Sequence, residues 1–170
     1  MKLLFLCGSL EPGKDGVGDY TRRLAGELIR QGHSISIIAL NDRRINVIER
    51  GFQLSDGTEI AILRLPAKLK AKHRFAEAQK YIDEFDPEWL SLQFVPYSFH
   101  PKGLHFGLAK QLKKIGKRRR WHIMFHELSI GLDQGASKKD LIVGRIQRFL
   151  IKNMLMELNP SLIHTHTPLY

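Results

Sequence analysis

Leu3-Leu4-Phe5-Leu6-Cys7 runs into Gly8-Ser9-Leu10-Glu11-Pro12-Gly13-Lys14-Asp15-Gly16-Val17-Gly18-Asp19-Tyr20, and Ser34-Ile35-Ser36-Ile37-Ile38-Ala39-Leu40 follows shortly after. The first run is apolar without interruption, as a strand covered on both faces of a parallel sheet requires. Gly8 to Gly16 reads as a loop. From Val17 to Arg30 a helix is predicted, with Tyr20, Leu24 and Leu28 in one row and Ala25 and Ile29 beside it. Gly32 stands where a helix end favours a left-handed residue. Ser34 to Leu40 is then a second strand, and strand–loop–helix–strand predicts a right-handed crossover.

The same alternation continues along the chain. Asp56-Gly57, between Phe52-Gln53-Leu54 and Ile60-Ala61-Ile62, predicts a hairpin. Helices are expected over Lys72 to Phe85, Leu104 to Ile115 and Ser137 to Leu158. In the last of these, Asp140 stands three residues after Ser137 as a weaker form of the capping box. Strands are expected over Trp89 to Val95, Trp121 to Phe125 and Leu162 to His166, with Pro96 to Pro101 as a loop. Five or six strands alternating with helices specify an α/β fold, a Rossmann-like, doubly wound, mainly parallel sheet with helices on both faces. Residues 1–170 read as one such domain.

Composition agrees. The 170 residues can bury about 70% of their unfolded surface, enough for a core without staples. The single cysteine, Cys7, excludes an intrachain disulfide and a cysteine-rich zinc site. Lys2 precedes an apolar run too short for a signal peptide, and no stretch approaches the roughly 20 apolar residues of a membrane span. A cytoplasmic domain is the expectation. Its net charge of +10 calls for an anionic partner.

In doubly wound sheets, ligands gather beyond the carboxyl ends of the strands. The first such end holds two near-motifs. Gly8, Gly13 and Lys14 have the spacing of a P-loop, but Asp15 replaces the Ser or Thr that would hold magnesium and would itself repel phosphate. Gly16-Val17-Gly18 opens a dinucleotide fingerprint, but Thr21 replaces the third glycine, and Asp42 is only near the acidic position. The surviving chemistry is backbone able to approach an anion or hydroxyl at a helix N-terminus. Asp19 in the first turn could accept from a sugar hydroxyl; alternatively the glycines only make a turn and Asp19 is a solvated first-turn acid.

Glu11 to Thr21 resembles the opening of glycosyltransferase family 4 enzymes, which have the GT-B fold. Gln93-Phe94-Val95-Pro96-Tyr97, Phe125-His126-Glu127 and Thr165-His166-Thr167-Pro168-Leu169-Tyr170 fit the same picture in the same order. The resemblance implies two Rossmann-like domains facing a cleft, an acceptor on the N-terminal one and a sugar nucleotide on the other. It implies transfer with retention to a glycan, polyol or lipid-linked acceptor, and no cofactor or obligatory metal beyond the sugar-nucleotide donor. Gly16, Val17 and Gly18 would lie near donor phosphates and acceptor. His126 would approach the donor sugar, with Glu127 supporting it or capping the following helix. The family's paired-glutamate donor motif is absent, because Glu77 and Glu84 are too closely spaced. Residues 1–170 therefore resemble the acceptor-side domain of a hexosyltransferase-like enzyme, with the donor domain absent and little turnover expected from this chain alone.

His100, beside Tyr97, is expected to contact acceptor. His164 and His166 alternate on a strand and could face one way, yet no third ligand is evident and no metal site is assigned. His33, His73, His105 and His122 read as surface or sheet-edge residues. Basic residues cluster at Lys68 to Arg74, at Lys110 to Arg120 and on the last helix, where Lys138, Lys139, Arg145, Arg148 and Lys152 accompany Leu141, Ile142, Ile146, Phe149 and Leu150. Such a helix can lie on anionic lipid at the inner face of the membrane, or be an ordinary packed helix with a solvated face. Nucleic acid is the less favoured partner, since neither zinc-finger spacing nor an aromatic RNA-binding signature is present. A non-catalytic basic module for lipid or nucleic acid is the alternative function.

Overall fold

The computed structural model describes residues 1–129 and 137–165. Seven strands form one sheet: β1 Lys2–Cys7, β2 Ser34–Asp42, β3 Glu49–Ser55, β4 Thr58–Pro66, β5 Trp89–Phe94, β6 Arg120–Phe125 and β7 Leu162–Thr165. Their spatial order is β3-β4-β2-β1-β5-β6-β7, and only the β3–β4 pair is antiparallel. Without β3, the six parallel strands follow the 3-2-1-4-5-6 order of a Rossmann sheet. The chain reverses direction across the sheet between β1 and β5, which is the switch point.

The hairpin forms where the Asp-Gly pair predicts it: Asp56 and Gly57 both take positive φ, 48° and 76°, as its turn requires. The sheet has seven strands rather than five or six, because both arms of this hairpin join it.

Alternation along each strand divides the core. Leu4, Leu6, Ile38, Leu90, Leu92 and Ile123 face α2 (Ala71–Phe85), α4 (Leu108–Gly116) and α5 (Lys138–Leu158). Leu3, Phe5, Ile35 and Ile37 face α1 (Gly16–Arg30) through Leu24, Leu28 and Ile29. Each fully buried aliphatic side chain contributes about 1.5–3 kcal/mol, so the buried apolar residues of β1 and β2 anchor both layers. Among the described residues, α1 thus covers one face and α2, α4 and α5 cover the other.

Local signals set the helix ends. Asp15 caps α1, its carboxylate accepting from the Gly18 amide at 2.7 Å. Gly32, at φ 85°, closes it as the amides of Gly32 and His33 bond back to Ile29 and Leu28. Ser137 caps α5, accepting from the Asp140 amide at 3.1 Å. Glu127 therefore does not cap that helix. Two expectations change. Pro96–Phe99 is a helical turn, α3, with Pro96 at its start, rather than loop. The helix expected from Leu104 begins at Leu108, since Gly107 takes φ 76° at its N-cap.

On the α1 side, β5 and β6 become polar. Ser91 and Gln93 are buried there, 0% and 1% exposed, with His122 half-buried beside them. His122 is not a surface residue, and neither is His105, which is only 5% exposed. Parts of the basic clusters are also neutralised. Lys113 pairs with Glu157, Lys117 and Arg119 with Asp83, and Arg120 with Glu88. On α5, Leu150 is buried while Leu141, Ile142 and Phe149 are exposed. Among the described residues no helix is long and apolar enough to cross a membrane.

Candidate functional site

The glycine loop is anchored from beneath by Asp42, the last residue of β2. Its carboxylate is fully buried and accepts from the Ser9 hydroxyl at 3.1 Å, the Leu10 amide at 3.1 Å, the Arg44 amide at 2.9 Å and Arg64 Nε at 2.8 Å. Burial alone would raise its pKa. The Arg64 guanidinium and the two amides outweigh that and hold the carboxyl below the usual carboxylate range. Arg64 also reaches Glu11 at 2.5 Å and Glu49 at 2.9 Å, so one side chain ties loop, β2 and β3 together. Asp42 is thus an internal anchor rather than the ribose-binding acid of a dinucleotide site. Its nearness to the end of β2 was visible in sequence; its partner on β4 was not.

The loop itself is tightly folded. Asp19 accepts from the Gly13 amide at 3.0 Å and pairs with Arg22, whose Nη1 donates to the Leu10 carbonyl at 3.0 Å. The Asp19 carboxylate is therefore already a structural tie. Gly18 is required by packing, since a Cβ there would lie 2.7 Å from the Ser9 carbonyl oxygen. At Gly16 a Cβ would meet nothing within 4 Å, and the residue is exposed with Val17 beside it. Close internal packing does not explain a glycine at position 16.

Gly8 joins this loop to the β5 end. A Cβ on Gly8 would stand 2.4 Å from Ser98 Cβ, and Asn41 bridges the same seam, its side chain donating to the Ser98 carbonyl at 2.8 Å. Between them lies a crevice of about 240 Å³ lined by Ser9, Lys14, Asp15, Asn41, Arg43 and Tyr97, among others. Tyr97 is held from two sides: Arg43 donates to its carbonyl at 3.0 Å, and Gln147 on α5 reaches its hydroxyl at 3.5 Å. His100 faces a neighbouring cavity, and its Nδ1 accepts from the Lys102 and Leu104 amides, both at 3.2 Å.

His126 follows β6. Its ring meets Tyr20 on α1 edge-on, with centroids 5.0 Å apart, so the β6 end and the first turns of α1 share one surface. Its Nε2 lies 2.9 Å from Gln93 Oε1, an amide oxygen that can only accept, so Nε2 donates in that bond. The polar line continues across the sheet. Gln93 Nε2 donates to Ser91 Oγ at 2.8 Å, Ser91 lies 2.7 Å from His122 Nδ1, and His122 Nε2 lies 2.9 Å from His164 Nδ1. Ser91 thus links Gln93 to His122, and His122 links Ser91 to His164. Burial, with His164 adding to it, pushes the His122 pKa down to about 4, so His122 is neutral near pH 7.

Replacing Gln93 with leucine should remove its hydrogen bonds to Ser91 and His126 and cost about 1–3 kcal/mol. Long-range ¹⁵N–¹H spectra of the imidazoles should then show His126 losing its single Nε2–H pattern. Retention of that pattern would mean that something other than Gln93 sets the tautomer.

The structure brings Gly16, Val17, Gly18 and Asp19 next to His126 through Tyr20, and Tyr97 to the adjoining crevice. Glu127 is exposed beside His126. His100 belongs to the neighbouring cavity. His164 is engaged by His122, and His166 lies outside the described residues, as do Thr167 to Tyr170. Among the described residues no three His, Cys, Asp or Glu side chains gather as a metal set. Sequence reasoning missed Tyr20, Ser91, His122 and Arg64 as parts of the site, and had Gln93 only within a motif.

No family model and no curated protein sequence matches the chain. Solved structures do. An alpha-glucosyltransferase in complex with UDP and a 13-mer DNA containing a HMU base matches with a TM-score of 0.53 and 14% identity, over 96% of this chain and 37% of that one. An alpha-glucosyltransferase in complex with UDP-glucose and DNA containing an abasic site matches with a TM-score of 0.52 and 15% identity, over 97% and 35%. At such identity the likeness establishes the α/β Rossmann-like fold. The chain spans little more than a third of the length of these structures.

Proposed function

We propose that residues 1–170 form the acceptor-side domain of a sugar-nucleotide-dependent, retaining glycosyltransferase. The observation that carries this reading is the Tyr20–His126 contact, which joins the glycine loop and the β6 end at the carboxyl edge of the sheet. In this reading Gly16, Val17 and Gly18 admit close approach of donor phosphates and acceptor, and Tyr97 and His100 border the acceptor. His126, fixed in orientation and tautomer by Gln93, approaches the donor sugar. Glu127 supports it from the exposed side. Asp19 contributes mainly by shaping the loop. The sugar nucleotide is held chiefly by a second domain, and the acceptor is a glycan, polyol or lipid-linked sugar.

A second reading, DNA as acceptor, is favoured by the +10 charge and by the DNA in the matching structures. Exposed Leu141, Ile142 and Phe149 among the lysines and arginines of α5 favour an anionic lipid surface as the place where the domain works.

Titration over a salt series separates these. Maltose or inositol is expected to bind weakly and with little salt dependence, and free UDP-glucose to bind scarcely at all. A short DNA duplex bound through phosphates would weaken with a log–log salt slope of about −0.9 per phosphate neutralised. Tight, steeply salt-dependent duplex binding would favour the DNA reading, and the same behaviour on vesicles containing phosphatidylserine the lipid surface. Low-micromolar binding of UDP-glucose by this chain would overturn the assignment of the donor site to another domain.

A further inference from the structure

A second cavity, of about 340 Å³, lies on the other side of the α3 turn from the crevice, and Asn41 borders both. Two helices begin at its wall: α2 presents Ala71 and Arg74, and α4 presents Leu108 and Gln111. Neither helix has a side-chain N-cap or an acidic residue in its first turn. In contrast, α1 carries Asp15 and Asp19 there, and α5 carries Ser137 and Asp140. Two uncompensated positive helix ends therefore converge on one space.

Arg74 adds a full charge to them. Its Nη1 bonds the Leu40 carbonyl at 2.7 Å and Asn41 Oδ1, its Nε is buried without a partner, and no carboxylate within 4 Å pairs with it among the described residues. Arg22, Arg64 and Arg119, whose side chains are 7–10% exposed, all have acidic partners. A half-buried cation against two positive helix ends, without an acid, is electrostatically unsatisfied. His105, 5% exposed, lines the same cavity with its Nε2 unpartnered. Phe75, Phe99 and Phe106 supply an aromatic wall, Phe106 being 68% exposed.

We propose that this cavity binds a phosphate group, held by Arg74 and the amide ends of α2 and α4, with the rest of the ligand against the phenylalanines. Phosphate suits the charge, since its oxygens accept both from a guanidinium and from helix-end amides. The site shares His100 with the acceptor side of the sugar-transfer reading, but it is argued from Arg74 and the helix ends and does not require that activity. It would hold whether the phosphate belongs to a substrate or to a free effector.

The test is titration of the chain with inorganic phosphate and, separately, phenyl phosphate, at constant ionic strength, followed by ¹⁵N–¹H shifts. Saturable shifts are expected at the amides of residues 71–74 and 107–111. Phenyl phosphate binding at least fivefold tighter than phosphate would identify an esterified ligand using the aromatic wall, and equal affinities would identify free phosphate. Arg74→Met should weaken binding at least fivefold. Because Arg74 also ties α2 to β2, Gln111→Glu provides the second variant; it leaves those bonds in place, sets an acid at the α4 end, and should lose at least fivefold as well. Lys117→Met, elsewhere on the basic surface, should change nothing. Non-saturable shifts, or less than a fivefold loss in either cavity variant, would overturn the proposal.

Discussion

Arg64→Met is expected to destabilise the domain by about 3–5 kcal/mol, because it leaves the fully buried Asp42 carboxylate without its counter-charge. Methionine fills much of the same volume, so the loss reports charge rather than cavity. Asp42→Asn in the same chain should recover part of it, as a neutral amide needs no cation. The Asp42 pKa is lowered on folding, so its contribution is fully present above the unfolded value of about 3.9 and is lost as pH falls through the folded value. Removing Arg64 should raise the folded pKa and move that loss to higher pH. Urea unfolding of both variants at pH 7 and pH 4 measures these effects. If Arg64→Met unfolded within 1 kcal/mol of the parent at pH 7, the network would not be what anchors the glycine loop.

Gly8→Ala should cost about 1–3 kcal/mol by overpacking. The added Cβ would meet Ser98 Cβ at 2.4 Å and the Ser98 carbonyl at 3.0 Å, and the backbone atoms among these contacts cannot turn aside. Relief requires α3 to move away from the glycine loop. That would lengthen the bond from Asn41 to the Ser98 carbonyl and open the crevice between Tyr97 and Lys14. Gly16→Ala, facing open space, should leave stability within about 0.5 kcal/mol. Thermal unfolding and Tyr97 side-chain NMR shifts distinguish the two substitutions. Equal, small effects would mean that the seam is softer than its contacts indicate.

The fold was legible because it depends on local periodicity. The unbroken apolar run at Leu3–Cys7 and the run at Ile35–Leu40, interrupted only by Ser36, mark covered parallel strands, Asp56-Gly57 marks a hairpin, and Ser137 with Asp140 marks a helix start. Errors fell where one residue's backbone overrode the pattern: Gly107 delays α4, and Pro96 starts a helical turn inside an expected loop. Of the site, the sequence located the strand ends that bear His126, Tyr97 and the glycine loop. Side-chain engagement lay beyond it. Asp19 read either as an acceptor for a sugar hydroxyl or as a solvated first-turn acid, and its bonds to Gly13 and Arg22 were visible in neither reading.

What the sequence determined by itself is the layered α/β sheet and the edge where ligands gather, since both follow from alternation and chain order. Only the tertiary structure decided which charges are satisfied. Asp42 meets Arg64 across two strands, His126 is oriented by a polar line spanning three strands, and Arg74 reaches no acid among the described residues. Pairing across a sheet depends on register and strand order, which spacing along the chain does not encode. The +10 charge was a bulk number in the sequence. In the fold some of those cations are neutralised by neighbouring acids, while Arg74 lines a cavity together with the starts of two helices.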